Sequence, residues 1–261
     1  MSKKQQRSDR PEYTAKKRPA ATRTNQSRID NMLAPRTENQ AAYIHQVQTN
    51  TITLVIGPAG TGKTFLAIGV AVQELVKGTY KKIVLTRPAV EAAGEKLGAL
   101  PGDAMEKLNP YMIPLYDSLE KLLGKVEVER LLEIGIIEVV PLAYMRGRTL
   151  EDAFIIMDEA QNASPEQVKM MLTRLGARSK MVITGDLAQS DIPSFMSGGK
   201  KRRNGLEDAV LRFSDVEGIA VVLLKICDIQ RHPLVGLVIK AYEKSIPDEK
   251  SIEDIYKHEE P

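Results

Sequence analysis

The sequence predicts an α/β fold in which helices flank a mainly parallel β-sheet. Six short apolar runs, rich in β-branched residues, are separated by longer stretches with helical spacing, which is the pattern of parallel strands buried on both faces. These runs lie at 52–56, 82–86, 136–140, 153–157, 181–184 and 220–224. With 261 residues, 43% of them hydrophobic, the chain can bury one sizeable core of this kind.

A glycine-rich turn connects the first of these runs to a helix expected at 65–76. Its eight residues read GPAGTGKT and fit the pattern G-x-x-x-x-G-K-[ST]. A strand, a glycine turn and a helix N-terminus form an anion site, because backbone N–H groups converge there and the helix dipole adds partial positive charge. The turn predicts a RecA-like P-loop NTPase fold with an ATP-binding loop made of Gly57, Pro58, Ala59, Gly60, Thr61, Gly62, Lys63 and Thr64.

Four side chains are expected to surround the phosphates and a Mg²⁺ ion. Lys63 would reach the β and γ oxygens, and the Thr64 hydroxyl would hold Mg²⁺. Asp158 and Glu159 directly follow the fourth apolar run, so they should lie at the carboxyl edge of the sheet, where ligands bind. We expect Asp158 to hold Mg²⁺ through its water shell, and Glu159 to orient and deprotonate the attacking water.

Three further polar residues are candidates for the same site. Gln189 follows the fifth run in the stretch GDLAQ, where its amide can bond the γ-phosphate or the lytic water. Gln40 lies just upstream of the first run and is expected to read the adenine edge, although an amide at a helix start is often only a cap or surface residue. Arg231 lies at a strand-to-helix junction, which is a location typical of an arginine finger.

Three basic stretches are candidate nucleic-acid contacts, each with an alternative. Residues 1–28 carry nine basic and two acidic side chains and few apolar ones, so we expect a disordered arm that binds nucleic acid or merely solubilises the chain. Arg146 and Arg148 precede the fourth run and could face ATP, nucleic acid or only solvent. Residues 200–203 are four consecutive basic residues, which indicates a phosphate-backbone contact, an arginine offered to a neighbouring subunit, or a solvated loop.

The rest of the chain is expected to complete one domain. Glycine and proline breaks in 89–130 predict several short helices. Ser164 should cap a helix with Pro165 at its first position, and a last helix should run from about 228 to 244. The predicted organisation is a basic arm at 1–28, a P-loop ATPase domain at 29–245 and a charged tail at 246–261.

Several features argue against membrane or secreted proteins. The sequence has no run of about 18 apolar residues, so no membrane span is expected. Its basic N-terminus lacks the apolar core of a secretory signal. Cys227 is the single cysteine, which excludes an intramolecular disulfide and favours the reducing cytoplasm.

Five stretches of the sequence resemble the PhoH family and follow one another in the order expected for it. The members of this family are ATPases similar to the ATPase half of superfamily 1 helicases. The five stretches are GPAGTGKT, TRPAVEAAGEKLGALPGD, MRGRTLEDAFIIMDEAQN, GDLAQSD and RHPLV, and the resemblance runs from about residue 38 to 243. It implies ATP hydrolysis, a link to RNA metabolism with helicase-type activity, and assembly into a hexameric ring. Because one domain alone leaves the γ-phosphate half exposed, we expect Arg231 to be supplied by another copy of the chain.

These observations leave competing functions open. The first hypothesis is an oligomeric ATPase that moves along or unwinds RNA or another single-stranded nucleic acid. The alternative is an ATP-dependent switch or adapter in RNA or ribosome processing that unwinds nothing. A small-molecule kinase is disfavoured, because the DEAQ stretch and Gln189 suit attack by water.

Overall fold

The computed structural model describes residues 23–88, 104–190, 196–197, 200–201 and 203–242. Its strands are β1 (Ile52–Ile56), β2 (Lys82–Arg87), β3 (Ile137–Pro141), β4 (Ala153–Met157), β5 (Lys180–Gly185), β6 (Met196–Ser197), β7 (Lys200–Lys201) and β8 (Ile219–Leu223). Six of them form one parallel sheet in the order β3-β2-β4-β5-β1-β8, and β6 and β7 form a small antiparallel ribbon. All six predicted strands are confirmed to within about one residue at each end.

The described helices are α1 (Arg23–Met32), α2 (Glu38–Thr49), α3 (Lys63–Lys77), α4 (Ala104–Leu123), α5 (Lys125–Glu133), α6 (Pro165–Leu172), α7 (Gly205–Phe213) and α8 (Pro233–Tyr242). Alternate strand residues face opposite sides of the sheet, as the pleat requires. One side packs against α1 to α5 and the other against α6 and α7, which gives two apolar cores. The chain therefore has the helix-covered parallel sheet that the sequence predicts.

Helix α1 changes the expected boundary of the basic arm. Residues 23–28 are helical, whereas the sequence analysis placed them in a disordered arm. The helix is held because Ile29, with Leu33 just after it, is buried in the core. Residues 1–22 of the predicted arm and the tail at 246–261 lie outside the described residues.

Helix α4 corrects part of the prediction of several short helices, because a break at Gly124 does separate α4 from α5 but no break divides 104–123. Residues 104–123 form one helix although it contains Pro110 and Pro114, each of which removes a helical hydrogen bond. Its buried face carries apolar side chains at intervals of three and four residues, namely Met112, Leu115, Leu119 and Leu122. Packing of this face offsets the two prolines. Residues 89–103 of the same prediction are not among the described residues.

The predicted ends of two other helices have different outcomes. Ser164 caps α6 with Pro165 at the first turn, as expected. The last helix begins at Pro233 rather than near residue 228, because 226–228 form a 3-10 turn. The sequence analysis also missed α7, which the Asn204 side chain caps.

A buried lysine joins the end of α2 to the sheet. The Lys180 ammonium donates hydrogen bonds to the carbonyls of Gln48 at 2.9 Å and Asn50 at 2.6 Å, and also to that of Val47. A cation at a helix C-terminus is favourable, because the last carbonyls have no partner within the helix. This contact fixes α2 beside the strands that lead into the glycine turn. Within the described ranges, no helix has both the length and the apolar character that crossing a membrane requires.

Candidate active site

The glycine-rich turn joins β1 to α3, as the sequence predicts. Gly60 and Gly62 have φ values of 83° and 86°, a backbone region that favours glycine. The Thr61 hydroxyl donates to the Pro58 carbonyl at 2.9 Å. The Lys63 ammonium lies over the same loop and donates to the Gly57 carbonyl at 2.6 Å and to the Pro58 carbonyl at 2.9 Å.

Donors from outside the loop hold its carbonyl groups. The Gln40 side-chain amide donates to the Thr61 carbonyl at 3.0 Å, and the Tyr43 hydroxyl donates to the Lys63 carbonyl at 3.0 Å. The backbone amide of Gln230 donates to the Gly60 carbonyl at 2.9 Å. Since these carbonyls are bonded outwards, the loop can present N–H groups to an anion.

The surroundings of Gln40 differ from those expected of a side chain that only contacts adenine. Its side chain is buried, and its oxygen accepts a hydrogen bond from the Arg36 backbone amide at 2.8 Å. Together with the bond to Thr61, this contact makes Gln40 a support of the loop, which sequence reasoning missed. One N–H and one lone pair of the amide are left over, and contact with adenine stays a prediction.

Asp158 lies directly beside the loop. Its Oδ1 atom accepts hydrogen bonds from the Thr64 hydroxyl at 2.7 Å and from the Thr184 hydroxyl at 2.5 Å. Thr184 lies on β5, the strand between β1 and β4. Burial raises the pKa of Asp158, although the Arg87 guanidinium opposes the shift. The structure therefore brings together the end of the loop and the acid after β4.

The Thr64 and Asp158 oxygens fit a Mg²⁺ ion. Mg²⁺ prefers hard oxygen ligands and in nucleotide sites usually takes one or two carboxylates together with substrate phosphates. In the described part of the chain, no three acidic, histidine or cysteine side chains cluster as a metal site. A site completed by phosphate oxygens needs no such cluster. Bound there, the ion would neutralise charge on the phosphates.

The lysine and the acids form one electrostatic group. Burial lowers the pKa of Lys63, while the nearby carboxylates of Asp186, Glu159 and Asp158 oppose this shift, in that order of strength. Asp186 is buried, and its carboxylate accepts a hydrogen bond from the Ala188 amide at 3.0 Å. Sequence reasoning quoted Asp186 within GDLAQ but gave it no role.

Glu159 has an unusual backbone and two side-chain partners. Its φ of 54° is rare for a residue with a side chain and costs about 1–3 kcal/mol. Its Oε1 atom accepts from Arg87 Nη2 at 2.6 Å, and its Oε2 atom accepts from Gln161 Nε2 at 2.5 Å. Arg87 and Gln161 were not predicted as site residues. The sequence shows only that Arg87 ends a strand, and its contact with Glu159 depends on β2 lying beside β4 in the sheet.

The two remaining candidates, Gln189 and Arg231, lie in different loops, after β5 and after β8. Gln189 is in the exposed turn after β5, with its backbone amide bonded to the Asp186 carbonyl at 3.1 Å, and its contact with phosphate or water stays a prediction. Arg231 lies across the loop of its own chain: a methyl group on Gly60 would come within 2.9 Å of its Cδ and Nε atoms. This placement differs from the expectation that Arg231 reaches the nucleotide of another copy.

The loop arginines before β4 do not both face the nucleotide. Arg148 pairs with Glu138 at 2.5 Å, and Glu138 also contacts Lys82 at the start of β2. Arg148 therefore lies towards the amino ends of the strands, away from the loop, which disfavours ATP among its three alternatives and leaves nucleic acid or solvent. Arg146 is exposed. In the basic run at 200–203, Arg203 Nε lies 3.6 Å from Glu207 Oε1, and the side chains of 200–202 lie outside the described part of the chain.

The profile of one protein family, described as PhoH-like protein, matches residues 32–243. The chain belongs to the PhoH-like family. It is 53% identical over 209 residues to a PhoH-like protein of Bacillus subtilis, covering 80% of this chain and 63% of that protein. It is 49% identical over 219 residues to a PhoH-like protein of Synechocystis, covering 84% and 65%, and 38% identical over 218 residues to Protein PhoH of Escherichia coli, covering 83% and 60%.

The chain thus spans a little under two thirds of the length of these PhoH-like relatives. Among solved structures, the Pif1 helicase of Candida albicans aligns at a TM-score of 0.40 and 14% identity, covering 82% of this chain and 45% of the helicase. The family membership and the P-loop fold rest on the sequence match and on the parallel sheet itself.

Proposed function

We propose that this PhoH-like chain is a Mg²⁺-dependent ATPase. The observation that carries the proposal is the 2.7 Å hydrogen bond between Thr64 and Asp158, which brings the end of the glycine-rich loop to the acid after β4. Lys63 lies over the loop and would bind the β and γ phosphates. Glu159 is adjacent and partly exposed, so it would take the proton from the attacking water.

The hydrolysis is tested by release of inorganic phosphate from ATP. Glu159→Gln should lower kcat by about 10²–10⁴-fold, because it removes the general base and keeps the side-chain shape. Lys63→Ala should weaken ATP binding. A matched control is Glu127→Gln on α5, because Glu127 also pairs with an arginine, at 2.6 Å, but α5 packs against α4 and the edge strand β3 rather than against the loop. Full turnover by Glu159→Gln would refute the assignment, and phosphate found on an acceptor instead of in solution would favour a kinase.

We further propose that single-stranded RNA stimulates the ATPase. The support is the excess of positive charge in residues 1–28 together with the family membership. Phosphate contacts made by such an arm release counterions, so stimulation should weaken as salt rises. A motor should show several-fold stimulation and should unwind a tailed duplex. A protein that binds and hydrolyses ATP but shows neither effect would instead be the ATP-dependent switch or adapter.

Self-association is proposed for the exposed apolar side chains of β8 and α8. β8 is an edge strand of the sheet and exposes Val221 and Leu223, and α8 exposes Leu234, Leu237 and Val238. The three side chains of α8 lie at positions i, i+3 and i+4, so they share one face of the helix. An exposed apolar face is typical of protein interfaces. Because Arg231 lies beside the loop and two residues before α8, a second copy bound to this face would lie near the nucleotide. The family resemblance suggests a hexameric ring.

Native mass measurement tests this assembly. The chain should appear as a multiple of 28.9 kDa, and Leu237→Glu should reduce it to a monomer, since Leu237 is 60% exposed on the apolar face of α8. Val126→Glu is the matched control, because Val126 is an exposed apolar residue on α5, away from the face. A monomeric wild-type chain would contradict the proposal.

A further inference from the structure

Arg87 connects three parts of the molecule at the edge of the site. It ends β2, where the register pairs Thr86 with Met157, so Arg87 lies beside the two acids that follow β4. Its Nη2 atom donates to Glu159 at 2.6 Å and its Nε atom lies 3.5 Å from Asp158 Oδ2. The Nη1 atom donates to the Tyr111 carbonyl of α4 at 2.9 Å.

The guanidinium is well held in this position. Its side chain is only 15% exposed, and its planar group spans carboxylates on one side and a helix carbonyl on the other. The Tyr111 carbonyl lies in the turn of α4 that contains Pro110 and Pro114, where the helical hydrogen bonds are interrupted. Its contacts with the Tyr111 carbonyl and Asp158 therefore hold Arg87 in place independently of its hydrogen bond to Glu159.

Glu159 has a second fixed donor besides Arg87. The second side-chain oxygen accepts from Gln161, which is itself buried and accepts from the Asp186 amide at 3.0 Å. Each carboxylate oxygen thus has one donor fixed elsewhere in the fold. Two fixed donors define the plane in which the carboxylate lies and leave its remaining lone pairs for a water.

We propose that Arg87 is a positioning residue for hydrolysis, which sets the Glu159 carboxylate towards the attacking water together with Gln161. This inference rests on the proposed ATPase activity. A carboxylate released from one of its donors would rotate about its side-chain torsions, and a misplacement of about 1 Å can cost about 10²-fold in rate. ATP binding depends on the loop and is unaffected by this rotation.

Arg87→Lys is the variant that separates positioning from charge. Lysine keeps a positive charge near the buried Asp158 but lacks the planar group that bridges Glu159 and the Tyr111 carbonyl. We expect kcat to fall about 10–100-fold while the ATP dissociation constant stays within about twofold. Arg148→Lys is the control, because Arg148 pairs with Glu138 at similar distance but at the other end of the sheet, and it should leave kcat unchanged.

The Glu159→Gln background gives the decisive comparison. If Arg87 acts through Glu159, adding Arg87→Lys to Glu159→Gln should produce no further loss, whereas an effect through folding or Asp158 would multiply. Gln161→Glu provides a second variant, since it keeps the acceptor for the Asp186 amide, removes the donor to Glu159 and should also lower kcat. Wild-type kcat in Arg87→Lys or in Gln161→Glu, or multiplying losses, would overturn the inference. An inactive wild-type chain would instead refute the ATPase proposal itself.

Discussion

Two buried threonines, on the strands at either side of β4, should respond in opposite ways to replacement by valine. Thr184 and Thr86 are both fully buried. The Thr184 hydroxyl donates to the Asp158 carboxylate at 2.5 Å, whereas the Thr86 hydroxyl has no hydrogen-bond partner in the described structure. Valine has nearly the shape of threonine, with a methyl group in place of the hydroxyl, so each variant removes one polar group.

The expected magnitudes follow from these two settings. A hydrogen bond to a charged group contributes about 1.5–3 kcal/mol, and Thr184→Val should lower the free energy of unfolding by that amount. At roughly 2–4 °C per kcal/mol for a domain of this size, Tm should fall by about 3–12 °C. Thr86→Val removes a buried unpaired hydroxyl and should raise the free energy of unfolding by about 1 kcal/mol.

Thermal and urea unfolding of the nucleotide-free chain, followed by circular dichroism, measure both changes. The opposite signs control for general effects of placing a valine in the sheet. If Thr86→Val destabilised the chain as much as Thr184→Val, the hydrogen bond to Asp158 would not be the cause, and the reasoning would be refuted.

Three further predictions concern residues that hold the sheet, α2 and the glycine-rich loop in place. Hydrogen bonds from Arg178 and then Lys81 hold the pKa of Asp152 far below its unfolded value, so Asp152→Asn should remove stability that is present above pH 4 and lost as pH falls. The urea midpoints of this variant and the wild type, measured from pH 2 to 7, should converge at low pH, and a constant difference would contradict this. Lys180→Met leaves the last carbonyls of α2 without donors and should lower the free energy of unfolding by about 3 kcal/mol, and an unchanged urea midpoint would refute that role. Gly57→Ala places a methyl group 2.8 Å from the Leu224 carbonyl and should lower the free energy of unfolding by about 1–3 kcal/mol, whereas no loss would mean that the loop moves freely aside.

The strands and the glycine turn could be predicted because their signals are local. The run 52–56 followed by GPAGTGKT specifies a strand, a turn and a helix start within a few residues. Asp158 and Glu159 could be placed at the correct edge because parallel strands share their carboxyl ends. These parts of the site could be predicted without knowing the order of the strands in the sheet.

The parts that were missed depend on packing between distant segments. The contact of Arg87 with Glu159 requires β2 to lie next to β4, an order that the run of strands along the chain does not reveal. The continuity of α4 depends on burial of its apolar face, which outweighs the local effect of Pro110 and Pro114. Arg231 reaches its own loop because the Gln230 amide bonds the Gly60 carbonyl, a contact across most of the chain.

Calorimetric titration of ATP, with Mg²⁺ and with excess EDTA, tests the central claim most directly, because that claim joins Thr64 and Asp158 around one metal nucleotide. The account predicts that Mg²⁺ strengthens ATP binding to the wild type and to the surface variant Asp152→Asn, and that Asp158→Asn loses most of this Mg²⁺ dependence. Equal strengthening by Mg²⁺ in Asp158→Asn and in the wild type would contradict it.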